Sequence, residues 1–90
     1  MAIEVRIPTI LRTYTGGEKS VNGAGATLSE LLDDLESRHS GLQARLLDQG
    51  KLRRFVNVYV GNDDVRFLDE LDTPTPDGVQ ISVIPAVAGG

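Results

Sequence analysis

Apolar and polar residues alternate from the start of the chain. Ile3, Val5 and Ile7 fall on one face of Ala2–Ile7, with Glu4 and Arg6 on the other, a period of two that predicts a half-buried strand. Pro8 ends that pairing, and Thr15-Gly16-Gly17 reads as the turn into a second short strand around Lys19-Ser20-Val21. The period then changes. Leu28, Leu31, Leu32 and Leu35 recur at helical spacing behind Thr27, which stands three residues before Glu30 in the arrangement of a capping box. Asp33, Asp34, Glu36 and Ser37 take the solvent side of that helix, and Gly41 is placed to be its left-handed C-terminal cap. A further helical turn is expected over Leu42–Leu47, ending before Asp48-Gln49-Gly50.

From Arg54 to Val60 the residues are β-branched or aromatic, with Val56, Val58 and Val60 alternating against Phe55, Asn57 and Tyr59. Gly61-Asn62-Asp63-Asp64 supplies turn chemistry ahead of a short strand at Val65-Arg66-Phe67. Pro74 and Pro76 keep Leu68–Thr75 irregular. Asp77-Gly78 then launches Val79–Ile84, which Pro85 terminates by removing a backbone donor. A helix with one apolar face, set between strand groups, predicts an α+β domain over residues 1–84. It is a mixed sheet of four to five strands around one main helix, the β-grasp arrangement, with the last strand parallel beside the first. Residues 85–90 have no cap, charge or period to fold them and are expected to form a flexible tail.

Composition narrows the chemistry. Ninety residues, 40% of them hydrophobic, suit one small domain, and no apolar run is long enough to span a bilayer. Without a basic flank and apolar stretch after Met1, the expected location is the cytoplasm, and the expected state alone is a monomer. The net charge of −4 opposes a nucleic-acid partner. The chain has no cysteine, so disulfides, thiolate metal ligands, a cysteine nucleophile and a side-chain persulfide are all excluded. The single histidine, His39, has no second imidazole for a metal site and no evident nucleophile, and its place is a helix end. Asp63 and Asp64 lack the oxygen set of a calcium loop and read as a solvated turn. The chain is therefore not expected to be an enzyme, nor to bind a metal or cofactor itself.

One motif is left over. The chain closes Pro85-Ala86-Val87-Ala88-Gly89-Gly90, and with glycine at about 7% of ordinary composition a chance pair occurs at a given site in roughly one chain in two hundred. Two residues without Cβ let a narrow active site close around the backbone and reach the carboxylate of Gly90. Gly90 is the candidate reactive group, and Gly89, Ala88, Val87 and Ala86 are the candidates for tail recognition.

Asp77-Gly78, the strand that follows and this tail together resemble the ubiquitin-like sulfur carriers of the ThiS/MoaD type. Ile7-Pro8-Thr9-Ile10-Leu11-Arg12, Thr15-Gly16-Gly17 and Arg54–Val60 resemble more closely the branch that serves cysteine biosynthesis. Ala86 stands where many tails of the family carry a second proline, which points away from the molybdopterin branch. The resemblance implies that an E1-like enzyme uses ATP to adenylate Gly90 and that sulfur then displaces AMP to leave a thiocarboxylate. It further implies a pyridoxal-phosphate cysteine synthase that consumes the thiocarboxylate and a metal-dependent peptidase that releases cysteine, so those cofactors belong to partners. Thiamin or molybdopterin synthesis, and conjugation of Gly90 to lysines as a protein modifier, are the alternatives within the family. A non-covalent interaction module is the alternative outside it. A tail that must be ordered in a partner calls for docking contacts elsewhere. Alternation turns Arg6, Asn57, Tyr59, Ser82 and Ile84 away from the helix. Tyr59, Ile84 and Arg54 are thus candidates for partner binding, unless Leu68–Pro76 folds over the first two. Lys51, Arg53 and Arg54 form a basic cluster, solvated or facing an acidic partner.

Overall fold

The computed structural model describes residues 3–54 and 56–85. Strand β1 (Ile3–Arg6) keeps the alternation of its sequence, with Ile3 and Val5 buried and Glu4 and Arg6 exposed. It pairs antiparallel with β2 (Ser20–Gly23) through Val5↔Val21 and parallel with β7 (Gln80–Pro85) through Val5↔Ile81. Strand β5 (Val56–Val60) lies antiparallel on the other side of β7, and β6 (Asp63–Asp64) continues the sheet from β5. The order is β2-β1-β7-β5-β6, with the parallel pair inside it. Central position explains why β7 is apolar on its inner face and why its partners Val56, Val58 and Val60 are too.

Helix α1 (Leu28–Arg38) lies across one face of this sheet, and its buried residues are the leucines at helical spacing, Leu28, Leu31, Leu32 and Leu35. The Thr27 hydroxyl accepts the Glu30 N–H at 3.3 Å, while the Glu30 carboxylate reaches back to the Ala26 N–H at 3.1 Å. The helix ends at His39, earlier than expected. Gly41 does adopt the left-handed conformation (φ 94°), but as the residue that starts α2 (Leu42–Leu46). The Glu36 carboxylate accepts N–H bonds from Gly41 and Gln43, so the reversal between the helices is held by an acidic side chain on α1.

The structure departs from or adds to the sequence reading at four further places. Residues 9–15 form a 3-10 segment, and β3 (Leu47–Asp48) and β4 (Lys51–Leu52) make a small hairpin around Gln49-Gly50. Val65–Phe67 is a 3-10 turn and not a strand, because the Asp64 carboxylate captures the Arg66 backbone N–H at 2.9 Å and turns the chain out of the ladder. Pro85 does not stop β7 before itself. It is the last residue of the strand, opposite Val56. The Gly61 N–H donates to the Gln80 carbonyl at 2.8 Å, and alternation along the same register makes Val56/Pro85 a pair that exchanges no hydrogen bonds, where a missing N–H costs nothing. Phe55, Ala2 and the tail from Ala86 lie outside the described residues.

Candidate functional site

The parallel β1/β7 pair and the antiparallel β5 bring the last described residue, Pro85, to one end of the sheet, beside Val56 and the Arg53–Arg54 bend. The sequence candidates Ala86, Val87, Ala88, Gly89 and Gly90 follow directly and lie outside the described residues. What the structure places is the platform from which they depart. On the face turned away from α1 it carries Arg6, Ser82 and Tyr59 in one row across β1, β7 and β5, and Ile84 with Asn57 in the next row toward the tail.

Ile84 is 47% exposed, although Ile81 and Val83 of the same strand are buried. Tyr59 is half-buried and Arg54 exposed. The segment that was the alternative cover for Tyr59 and Ile84 goes elsewhere. Residues 73–75 run along the start of α1, where the Leu28 N–H donates to the Thr73 carbonyl at 2.9 Å and the Thr75 N–H to the Ala26 carbonyl at 3.0 Å. Leu71 packs against the core, so Leu68–Pro76 covers the helical side and leaves the opposite face of the sheet open.

A shallow groove of about 250 Å³ runs beside Ile84, lined by Arg6, Ile7, Pro8, Ser82 and Val83. A second open depression of about 510 Å³, between Ala24–Ala26 and Pro74–Asp77, sits at the entry of β7, the far end of that strand from Pro85. Among the described residues no group of three or more histidine, cysteine, aspartate or glutamate side chains could hold a metal ion. No helix among them is long and apolar enough to cross a membrane.

The basic cluster divides. The Arg53 guanidinium donates to the Ala44 carbonyl through Nε (3.2 Å) and Nη2 (3.0 Å), so it ties the bend before β5 to α2. Arg54 and Lys51 are exposed. Sequence reasoning missed Arg66, whose Nη1 donates to Asn57 Oδ1 at 2.6 Å and whose Nη2 donates to the Arg53 carbonyl at 2.7 Å. Its position in what reads as a β-prone run concealed it, and only the Asp64-x-Arg66 turn chemistry signals that the chain curls back there.

A five-stranded mixed sheet with a parallel central pair, folded over one main helix and delivering a glycine-terminated segment from its middle strand, defines a β-grasp, ubiquitin-like protein. The family model described as the ThiS family matches residues 5–90, and the chain belongs to that family. The sulfur carrier protein CysO of Mycobacterium tuberculosis is 52% identical, with all of both chains covered. A chain from the crystal structure of the Amycolatopsis orientalis BexX/CysO complex is 57% identical with a TM-score of 0.95, over 99% of this chain and 100% of that one. The small archaeal modifier protein 3 of Haloferax volcanii is 36% identical, again over the whole of both chains.

Proposed function

We infer that this chain is a sulfur carrier protein of cysteine biosynthesis in which the Gly90 carboxylate is the working group. The single observation that supports this most is the pairing of full-length similarity to CysO with a sequence that follows Pro85 with Ala86-Val87-Ala88-Gly89-Gly90 and contains no cysteine on which sulfur could otherwise be held. A carboxyl group with an ordinary pKa of about 3.5 is an anion at neutral pH and resists nucleophiles until one oxygen becomes part of a leaving group. In the proposed cycle an oxygen of the Gly90 carboxylate attacks the α-phosphorus of ATP on an E1-like partner and releases pyrophosphate. A donor sulfur then attacks the acyl carbon, and AMP departs with that oxygen. The resulting thiocarboxylate is the nucleophile that a pyridoxal-phosphate cysteine synthase directs at an activated serine, and a metal-dependent peptidase frees the cysteine. The chain itself contributes reach, access and docking. The cycle is placed in the cytoplasm, with the free carrier a monomer.

The docking face proposed for these partners is the open side of the sheet around Ile84 and Tyr59, rimmed by Arg54. Its support is that Ile84, exposed on the open face, immediately precedes Pro85, that the half-buried Tyr59 lies on the same face opposite Ser82, and that the exposed Arg54 sits in the bend before Val56, the partner of Pro85. Gly89, Ala88, Val87 and Ala86 are proposed to thread the partner's channel, where a Cβ at Gly89 would be obstructive. Removal of Gly90, or addition of one residue after it, is expected to abolish loading by the adenylating partner while the melting transition stays unchanged. Loading that survives both changes would exclude Gly90 as the reactive residue. The 36% identity to a small archaeal modifier protein favours one second reading, isopeptide transfer from Gly90 to lysines, which a covalent adduct resistant to thiols would reveal.

A further inference from the structure

Strand β5, which pairs with the strand leading to the tail, is braced by a side chain from outside the sheet. With Gly61 and Gln80 a hydrogen-bonded pair, alternation makes Tyr59/Ser82 and Asn57/Ile84 hydrogen-bonded pairs as well, and Asn57/Ile84 the last such pair before the tail. The Arg66 guanidinium spans from the Asn57 side chain, at 2.6 Å, to the Arg53 carbonyl, at 2.7 Å. That carbonyl also receives the Val56 N–H at 3.1 Å, and Val56 is the partner of Pro85. Arg66 is itself anchored, since Asp64 holds its backbone N–H and pairs with Tyr59 through β6. A closed loop of contacts therefore runs from the sheet edge to the two β5 residues that face Ile84 and Pro85.

We propose that Arg66 is a positioning residue for the chemistry at Gly90, acting through Asn57 and the Arg53 carbonyl to fix the direction in which the tail leaves the sheet. The proposal rests on the sulfur-carrier reading above. Five residues beyond Pro85 reach up to about 17 Å, so a tilt of ~10° at the origin moves the far end by ~3 Å when the segment is extended in a partner. Misplacement of reacting atoms by about 1 Å can lower a rate by about a hundredfold. Arg66 suits this role better than partner contact, because two short hydrogen bonds already occupy its planar fork, and a lysine ammonium would not span both acceptors with that geometry.

The test uses the full chain with its adenylating partner and reads ATP–pyrophosphate exchange, which needs no sulfur donor. It is paired with amide hydrogen exchange at Ile84. Arg66→Ala and Asn57→Ala should each lower kcat roughly tenfold with KM for the carrier changed less than about twofold, and the double variant should be little worse than either single one. Arg66→Lys should recover only part of the loss, and the Ile84 amide should exchange several-fold faster in Arg66→Ala, in line with a loosened terminal pair. An unchanged kcat, additive losses, or a rise in KM alone with unaltered Ile84 exchange would overturn the proposal while leaving the carrier reading intact. Absence of pyrophosphate exchange with the wild-type chain would overturn both.

Discussion

Ile81 and Ile84 sit three residues apart on β7 and face opposite sides of the sheet, which allows scaffold and docking to be separated within one strand. Ile81 is fully buried in the hydrophobic core, whereas Ile84 is 47% exposed on the open face. Truncating Ile81 to alanine removes three carbons, about 2.4 kcal/mol at 0.8 kcal/mol per buried methylene, and the cavity left behind brings the loss to roughly 2–5 kcal/mol. The same truncation at Ile84 removes atoms that are about half hydrated already and creates no enclosed cavity, so the loss should be about 1 kcal/mol. In a domain of this size about 1 kcal/mol moves the melting temperature by roughly 4–8 °C, so calorimetry distinguishes the two variants readily. Function should reverse the order. For carrier that remains folded at the assay temperature, Ile81→Ala should load with an unchanged KM, while Ile84→Ala should raise the KM for the adenylating partner by about 5- to 30-fold, equivalent to about 1–2 kcal/mol at an apolar contact. Wild-type KM in Ile84→Ala, or a melting loss equal to that of Ile81→Ala, would refute the assignment of this face.

Two further outcomes follow from packing and charge. Gly25→Ala should destabilise, by roughly 1–3 kcal/mol in a denaturant titration, because a Cβ there would collide with the Leu31 backbone nitrogen, which cannot yield as a side chain would. By contrast the atoms nearest a Cβ at Gly23 are side-chain carbons of Leu31 and Leu35, which can shift, so Gly23→Ala should cost less. The Glu36 carboxyl is held below the ordinary value of 4.5 by N–H bonds from Gly41 and Gln43, so its contribution to stability is present above pH 4.5 and disappears as pH falls through the lowered value. The acid limb of a stability–pH profile should therefore be shallower in Glu36→Gln than in the wild type.

The fold was legible where a period ran long enough to be counted. Val5, Val58 and Ile81 could be placed in the core from alternation alone, and the leucines of α1 from a period near 3.6, with Thr27 and Glu30 marking the start. The open face was legible by the same parity, and the structure adds that residues 68–76 do not cover it. Elements of two or three residues were not legible, since β3, β4 and β6 are too short to show a period. Val65-Arg66-Phe67 misled because residue preference favoured a strand while one hydrogen bond, from the Arg66 backbone N–H to the Asp64 carboxylate, decided for a turn. Arg66 was invisible as a brace for the same reason, because its partners Asn57 and Arg53 become neighbours only after that turn. The end of α1 was misjudged because Gly41 serves α2, a role that depends on Glu36 reaching across the reversal.

The central claim is that Gly90 carries sulfur on its terminal carbonyl. Intact-mass measurement of the chain after incubation with its adenylating partner, ATP and sodium sulfide tests it directly. The account predicts a mass increase equal to the difference between one sulfur and one oxygen, localised by fragmentation to Gly90. A chain that forms the adenylate but never gains that increment, or gains it anywhere other than Gly90, would contradict it.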